Sequence, residues 1–281
     1  MNLVYFGSDL STPIFEYLAD SAAYRVLALY THSDPAAGDF DVSLTAAARR
    51  RGIAATREPL TERQARLYFA NRGCELFFSA EYGRKIPILP EARFRGVNVH
   101  NSLLPEGRGY FPVELRLYKR FDYGGVTVHK LAEEIDRGDI LLQERFSIAP
   151  EDDAARLYGK CAAVAFVLVK TLMQDFDRYW NAARPQDERA ASWWRTPRTE
   201  DLTITPAMTL AQIRHIFRSF GMLTQLSLGG RRYRVLSLAC GRAAEKAQPD
   251  AAALPGALSF PAADGIVTAL CEDWKEVGYA R

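Results

Sequence analysis

The stretch Gly96-Val-Asn-Val-His-Asn-Ser-Leu-Leu-Pro-Glu-Gly-Arg-Gly109 begins as a strand and ends as a loop. In an extended strand successive side chains alternate faces, so Asn98, His100 and Ser102 project to one side and Val97, Val99 and Asn101 to the other. Buried strands of α/β proteins are mostly continuous apolar runs, because both faces are covered. An amide, an imidazole and a hydroxyl each cost free energy to bury unless a partner is supplied. The polar face therefore needs either nearby backbone or a ligand.

Upstream of it, residues 3–6 read as a buried strand, Gly7-Ser-Asp9 as a tight turn and residues 11–18 as an amphipathic helix, the first half of a βαβ unit. The turn lacks GxGxxG, which gives a dinucleotide fold little support. A helix N-terminus behind Gly7 can still receive an anion or a polar group, or be a plain turn. Strands at 24–31, 53–56 and 75–79 alternate with helices at 43–51 and 61–71, the latter with Thr61 as N-cap. This alternation predicts an α/β fold, a Rossmann-like, mostly parallel sheet with helices on both faces. Ligands collect at the carboxyl ends of such strands, where Ser8, Tyr82 and the residues after His100 fall.

Downstream, residues 111–120 read as a helix, 125–131 as a strand, 133–139 as an acidic turn, 140–148 as a strand and 153–179 as a helix. Periodicity is lost over 181–200, where prolines and mixed charge indicate a linker holding Trp193, Trp194 and Pro197. A helix at 209–220 follows. Segments 223–228 and 231–238 around Gly229-Gly230 make a hairpin, and short strands follow at 257–260, 265–271 and 277–280. The expected organisation is a first domain over 1–180, a linker over 181–203 and a small OB-like β-barrel domain over 204–281.

The chain has 281 residues, 48% apolar and 25% charged, with a formal charge of +2. That length accommodates a large and a small domain, and the charge argues against a strong nucleic-acid footprint without excluding tRNA. Cys74, Cys161, Cys240 and Cys271 form neither a CxxC pair nor a disulfide framework and read as reduced residues of a cytoplasmic protein. No signal peptide is evident, and the apolar run 161–169 is too short to span a bilayer, so no membrane partner is expected. Monomer and homodimer both remain open.

No HExxH, GxSxG or Walker loop occurs, and no metal is expected. His32, His129 and His215 have no evident partners in the sequence and read as structural or solvated. Glu133, Glu134, Asp136 and Asp139 suit either a divalent cation or a solvated acidic turn. Taken together, Asn98, His100 and Asp136 suit a different chemistry. An amide donates to a developing oxyanion, an imidazole donates or moves a proton, and a carboxylate orients that imidazole or takes a proton. Acyl transfer to an amine needs those three functions.

Asn98-x-His100-x-Ser-Leu-Leu-Pro105-x-x-Arg-Gly109-x-x-Pro112, then Gly125-Val-Thr127 and Asp136-x-Gly-Asp-Ile140, resembles the signature of the 10-formyltetrahydrofolate-dependent formyltransferases. The resemblance runs from Leu3 to about Leu172, and Glu81-Tyr-Gly-Arg-Lys-Ile-Pro87 resembles the loop whose backbone holds the pterin. It implies Asn98, His100 and Asp136 as catalytic residues. It implies 10-formyltetrahydrofolate as formyl donor, held by Tyr82, Gly83, Arg84, Lys85, Ile86, Asp139 and Ile140. The second domain is similar to the small barrel of methionyl-tRNA and aminoarabinose formyltransferases.

Two departures bear on the acceptor. The basic loop of methionyl-tRNA formyltransferases is replaced by the acidic Ser33-Asp-Pro-Ala-Ala-Gly-Asp-Phe-Asp41, which repels phosphodiesters, and their Asn-Pro-Trp-Pro stretch by Ser219-Phe-Gly-Met-Leu223. Thr-His-Ser-Asp at 31–34 and Trp-Trp-Arg-Thr-Pro at 193–197 look closer to enzymes that formylate nucleotide-linked amino sugars. That acceptor is the expected partner, with Ser8, Asp9, Ser102, Arg108 and Gly109 as its binding residues. Arg108 suits bidentate phosphate contact or bracing of its own loop equally. Methionyl-tRNA, a siderophore or peptide precursor, hydrolysis of the formyl donor, and a folate- or sugar-nucleotide-binding protein without activity are the alternatives.

Overall fold

The computed structural model describes residues 1–32, 42–90, 94–241 and 256–273. The acidic stretch after residue 33 and the expected strand at 277–280 lie outside the described residues. A seven-stranded sheet is built from β1 (Asn2–Gly7), β2 (Arg25–Tyr30), β3 (Ala55–Thr56), β4 (Leu76–Ala80), β5 (Gly96–His100), β6 (Tyr123–Lys130) and β7 (Ile140–Ser147). Its order is β3-β2-β1-β4-β5-β6-β7. The first five strands run parallel, and β6 and β7 pair antiparallel at one edge.

Helices α1 (Thr12–Asp20), α2 (Val42–Arg50), α3 (Glu62–Asn71), α4 (Pro112–Tyr118), α5 (Ala154–Gln174) and α6 (Phe176–Asn181) accompany it. Thr61 caps α3 as expected, in a reciprocal box with Gln64. One face of the sheet packs Tyr5, Phe78 and Val97 against α1, α2 and α5, and the other packs Phe6, Phe77 and Tyr30 against Ala65 of α3. The expected helix at 153–179 breaks at Asp175, whose φ of −147° leaves the helical region. By length and composition α5 could cross a bilayer. Its Leu157, Val169 and Leu172 are instead buried on the sheet, each burial stabilising the fold by roughly 1.5–3 kcal/mol.

A second sheet holds β8 (Thr203–Ile204), β9 (Gln225–Leu228), β10 (Arg231–Gly241), β11 (Ala257–Ala262) and β12 (Gly265–Asp273), in the order β11-β12-β10-β9-β8. Gly229 and Gly230, at φ 59° and 77°, make the expected tight hairpin turn. The expected barrel closure is corrected: among the described residues the sheet is open, and its end strands β11 and β8 share no ladder. After α7 (Thr199–Leu202), helix α8 (Leu210–Phe220) buries Ile213, Ile216 and Phe220 against this sheet. It docks on the first sheet's side through Tyr118, which stacks on His215, and through Arg218, which donates to the Asp152 and Ala149 carbonyls.

The segment expected as a linker is packed rather than free. Arg184 bridges Ile140, Trp193 bridges Arg108, and Trp194 is buried.

Candidate functional site

Strand β5 and the turn after β6 carry Asn98, His100 and Asp136 to one cavity of about 280 Å³ at the carboxyl ends of β4 and β5. His100 Nδ1 lies 3.6 Å from Asp136 Oδ2, and His129 Nε2 lies 3.6 Å from Asp136 Oδ1. Asn98 Nδ2 is 3.1 Å from His129 Nε2, and the Gly109 N–H donates to Asp136 Oδ2 at 2.9 Å. His100 Nε2 donates to the Gly107 carbonyl at 2.8 Å, leaving Nδ1 to face the carboxylate. Burial alone would raise the Asp136 carboxyl. The His100 and His129 imidazoles beside it, with the Gly109 N–H, outweigh burial and hold it well below the usual carboxylate range.

The turn that presents Asp136 is tightly held. Asp136 itself sits at φ 57°, in the left-handed region. Gly138 is required, since a Cβ there would lie 1.8 Å from the Lys130 carbonyl oxygen. Gln186 Nε2 donates to the Asp136 and Gly138 carbonyls, both at 2.8 Å. Three of the four non-glycine residues with positive φ among the described residues, Glu81, Phe111 and Asp136, line this cavity. Such strain persists only where the surroundings impose it.

Of the residues expected at the formyl donor, Tyr82, Gly83, Arg84, Lys85 and Ile86 line the cavity, opposite Leu131 and Ile135. The Gly83 N–H donates to His32 Nδ1 at 3.4 Å, and Arg84 Nη1 donates to the Arg57 carbonyl. A cleft that sets the Tyr82 ring and Gly83 across from Leu131 and Ile135, with polar groups among them, is a lining that fits a flat heterocycle such as a pterin. Asp139 and Ile140 do not line the cavity. The Asp139 carbonyl accepts from Lys130 N–H and the Ile140 N–H donates to Arg184, so both fix the edge of β6 and β7.

The residues expected at the acceptor separate further. Gly109 lines the small cavity, and Ser8 lines a second one of about 840 Å³ between the two sheets. Asp9 is committed elsewhere, accepting from the Ser43 and Leu44 N–H groups at the start of α2. Ser102 is turned inward, its hydroxyl donating to the Glu106 carbonyl and accepting from Arg116, because the chain leaves the strand after His100. Arg108, which suited phosphate contact and bracing of its own loop equally, is found in the bracing arrangement. It is 1% exposed, donates to Gln186 and Glu188, and braces its loop against the 186–194 segment.

His129 is the main residue that sequence reasoning missed. It stands opposite Asn98 in the β5–β6 register, and only the antiparallel pairing of those strands reveals it. Gln186 was hidden in the apparent linker. Glu81, His32, Phe111 and Tyr158 line both cavities and so connect them.

A sequence model of the family described as formyl transferase matches residues 16–171. A methionyl-tRNA formyltransferase of Geobacillus thermodenitrificans is 28% identical over 282 residues, spanning 95% of this chain and 85% of its own. One from Paramagnetospirillum magneticum is 31% identical over 202 residues, 69% of this chain and 66% of its own. The crystal structure of an N-formyltransferase from Helicobacter canadensis in complex with folinic acid and dTDP-3-aminofucose shares the fold. Its TM-score is 0.64 at 19% identity, over 96% of this chain and 99% of that one. The family match spans more than half of the sequence and takes in the strand, the turn and the cavity wall described above, and the chain therefore belongs to the formyl transferase family of folate-dependent enzymes.

Proposed function

We propose that the chain is an N-formyltransferase that moves the formyl group of 10-formyltetrahydrofolate to the amine of a nucleotide-linked amino sugar. The observation that carries the chemistry is the convergence of Asn98, His100 and Asp136 on one cavity whose far wall is residues 82–86. Bound there, the folate supplies the activated formyl group. The Asn98 amide donates to the formyl oxygen as it gains negative charge, a kind of contact worth about 10²–10³ in rate. His100, oriented by Asp136 and by the Gly107 carbonyl, moves the proton from attacking to departing nitrogen. Acceptors enter through the larger cavity, between an α5 wall and the α8 side of the second sheet. Residues 1–180 then form the catalytic domain and 204–281 a small β domain on the acceptor side.

The sugar reading is supported by the shared fold of sugar N-formyltransferases. A second reading, the amine of a siderophore or peptide precursor, is favoured by one observation, the commitment of Arg108 to Gln186 and Glu188 instead of to a phosphate. The test incubates the protein with 10-formyltetrahydrofolate and dTDP-3-aminofucose, the free amino sugar, a linear diamine or charged methionyl-tRNA, and follows tetrahydrofolate release. The sugar reading expects the nucleotide-linked form to be far better than the free sugar, because binding of the remote nucleotide positions the amine. Release without any amine would show hydrolysis. Robust formylation of methionyl-tRNA that falls steeply with salt would replace the sugar with tRNA.

A further inference from the structure

Strand β4 ends at Ala80, and Glu81 follows at φ 58°, in the left-handed region that a glutamate adopts only under constraint. Its side chain lies where the two cavities meet, and Asn101 Nδ2 donates to its Oε1. The titratable groups that feel its charge are Tyr5 on β1, Glu114 on α4, and Tyr158 and Cys161 on α5. His32 lines the same two cavities. Among the described residues no lysine or arginine pairs with Glu81. Burial pushes its carboxyl up to about 7, and the Asn101 bond offsets this only in part.

Formyl transfer to an aliphatic amine involves two protons. The acceptor arrives as an ammonium ion with no lone pair, so one proton must leave before the nitrogen attacks and a second after it has bonded to carbon. His100 and Asp136 stand at the formyl group for the second. Asp136, held well below the usual range, is too weak a base for the first.

We propose that Glu81 takes the first proton, discharging the acceptor's ammonium group as it passes from the larger cavity into the smaller one. The inference rests on the formyl-transfer reading above. The ammonium and the Glu81 carboxylate become amine and carboxylic acid. The amine lone pair forms the new C–N bond as the bond between the formyl carbon and N10 breaks. The second proton passes through His100 to N10, and Glu81 returns its proton to solvent. One proton is released for each formamide formed.

Ethylamine and trifluoroethylamine are close in size, but the second is already a free amine at neutral pH. Tetrahydrofolate release is measured for both, and for the nucleotide-linked amino sugar, from mildly acidic to alkaline pH. Wild type is compared with Glu81→Gln, which preserves side-chain length and an oxygen for Asn101. For ethylamine and the sugar the variant should lose about 10²–10⁴ in kcat/KM at neutral pH, and the loss should shrink as the pH approaches the amine's own titration. For trifluoroethylamine it should match wild type, which also shows that the variant folds and binds folate. Equal loss with both small amines, or no loss with ethylamine, overturns the role of Glu81 and leaves formyl transfer standing. Failure of wild type to formylate any amine overturns the formyl-transfer reading and this proposal with it.

Discussion

Asn98 Nδ2 lies 3.1 Å from His129 Nε2, and the two residues face each other across the β5–β6 ladder. His129 Nδ1 is 2.8 Å from the Lys130 carbonyl, which can only accept. Nδ1 therefore carries a proton, and in the neutral ring Nε2 accepts from the Asn98 amide. One N–H of Asn98 is fixed in this way and the other remains for the oxyanion. His129→Ala should lower turnover about 100-fold through a misplaced amide, with folate affinity nearly kept. His129→Gln, which can accept from the same N–H, should recover part of it. An alanine variant with wild-type kcat would sink this positioning role.

Direct removal of the reacting groups should cost as much or more. Asn98→Ala and His100→Ala should each fall by at least about 10²–10³ in turnover, the worth of one preorganised donor. Asp136→Asn preserves size but removes the charge that faces both imidazoles, and should do similar harm. Folate binding, followed by fluorescence, should survive in all three. Near-normal turnover in any one would refute its assignment.

Gly107 tests the loop behind His100. At φ 75°, with a Cβ that would meet Ser102 Oγ at 2.5 Å and the Trp194 ring at 3.2 Å, it has no room for a side chain. Gly107→Ala should shift the carbonyl that His100 Nε2 holds and depress kcat more than it raises the folate KM. Gly83 is a milder case, since the nearest atom its Cβ would meet is in the His32 side chain, at 3.2 Å. Arg84→Ala should be milder still, because its guanidinium reaches the Arg57 carbonyl rather than needing a ligand. Loss of folate binding in Arg84→Ala alone would contradict a cavity that works through backbone groups.

Much of the first sheet was legible because its strands are short apolar runs and its helices are amphipathic, which is the pattern that burial on two faces imposes. Asn98 and His100 were legible for a different reason, their polarity on a buried strand, and Asp136 through the chemistry it completes with them and the Asp136-x-Gly-Asp-Ile140 pattern. What escaped depended on distant pairing. His129 becomes meaningful only once β6 lies antiparallel to β5, and Gln186 only once the 181–203 segment folds back under Asp136. Arg108 could not be resolved from sequence, since a guanidinium that braces a loop and one that awaits a phosphate look the same until Gln186 and Glu188 are in place.

Arg108 makes that distinction measurable. Removing one partner of a buried, bonded charge costs roughly 3–5 kcal/mol, and less here because Glu188 is half exposed. Arg108→Ala should therefore lower the melting temperature and loosen the 186–194 segment, and turnover should drop with every acceptor alike. A stable variant that lost only phosphorylated acceptors would restore the phosphate role.

Glu114 gives a prediction about pH and stability. It is 5% exposed, the Tyr158 hydroxyl donates to Oε1 at 3.0 Å, and Oε2 has no hydrogen-bond partner. Burial pushes its carboxyl from 4.5 up to about 7, the Tyr158 bond opposes this, and the charge of Glu81 adds to it. Between those values the folded protein holds a proton that the unfolded chain has released, so this group makes stability fall as pH rises from 4.5 to about 7, and the penalty stays constant above that. At 1.36 kcal/mol per unit the penalty is at most about 3 kcal/mol. Glu114→Gln keeps an oxygen for Tyr158 and removes the titration. Its thermal unfolding should lie above that of wild type on the alkaline side of 7, and the gap should close as the pH approaches 4.5. A gap of the same size at both ends would mean that packing, not the buried charge, sets the difference.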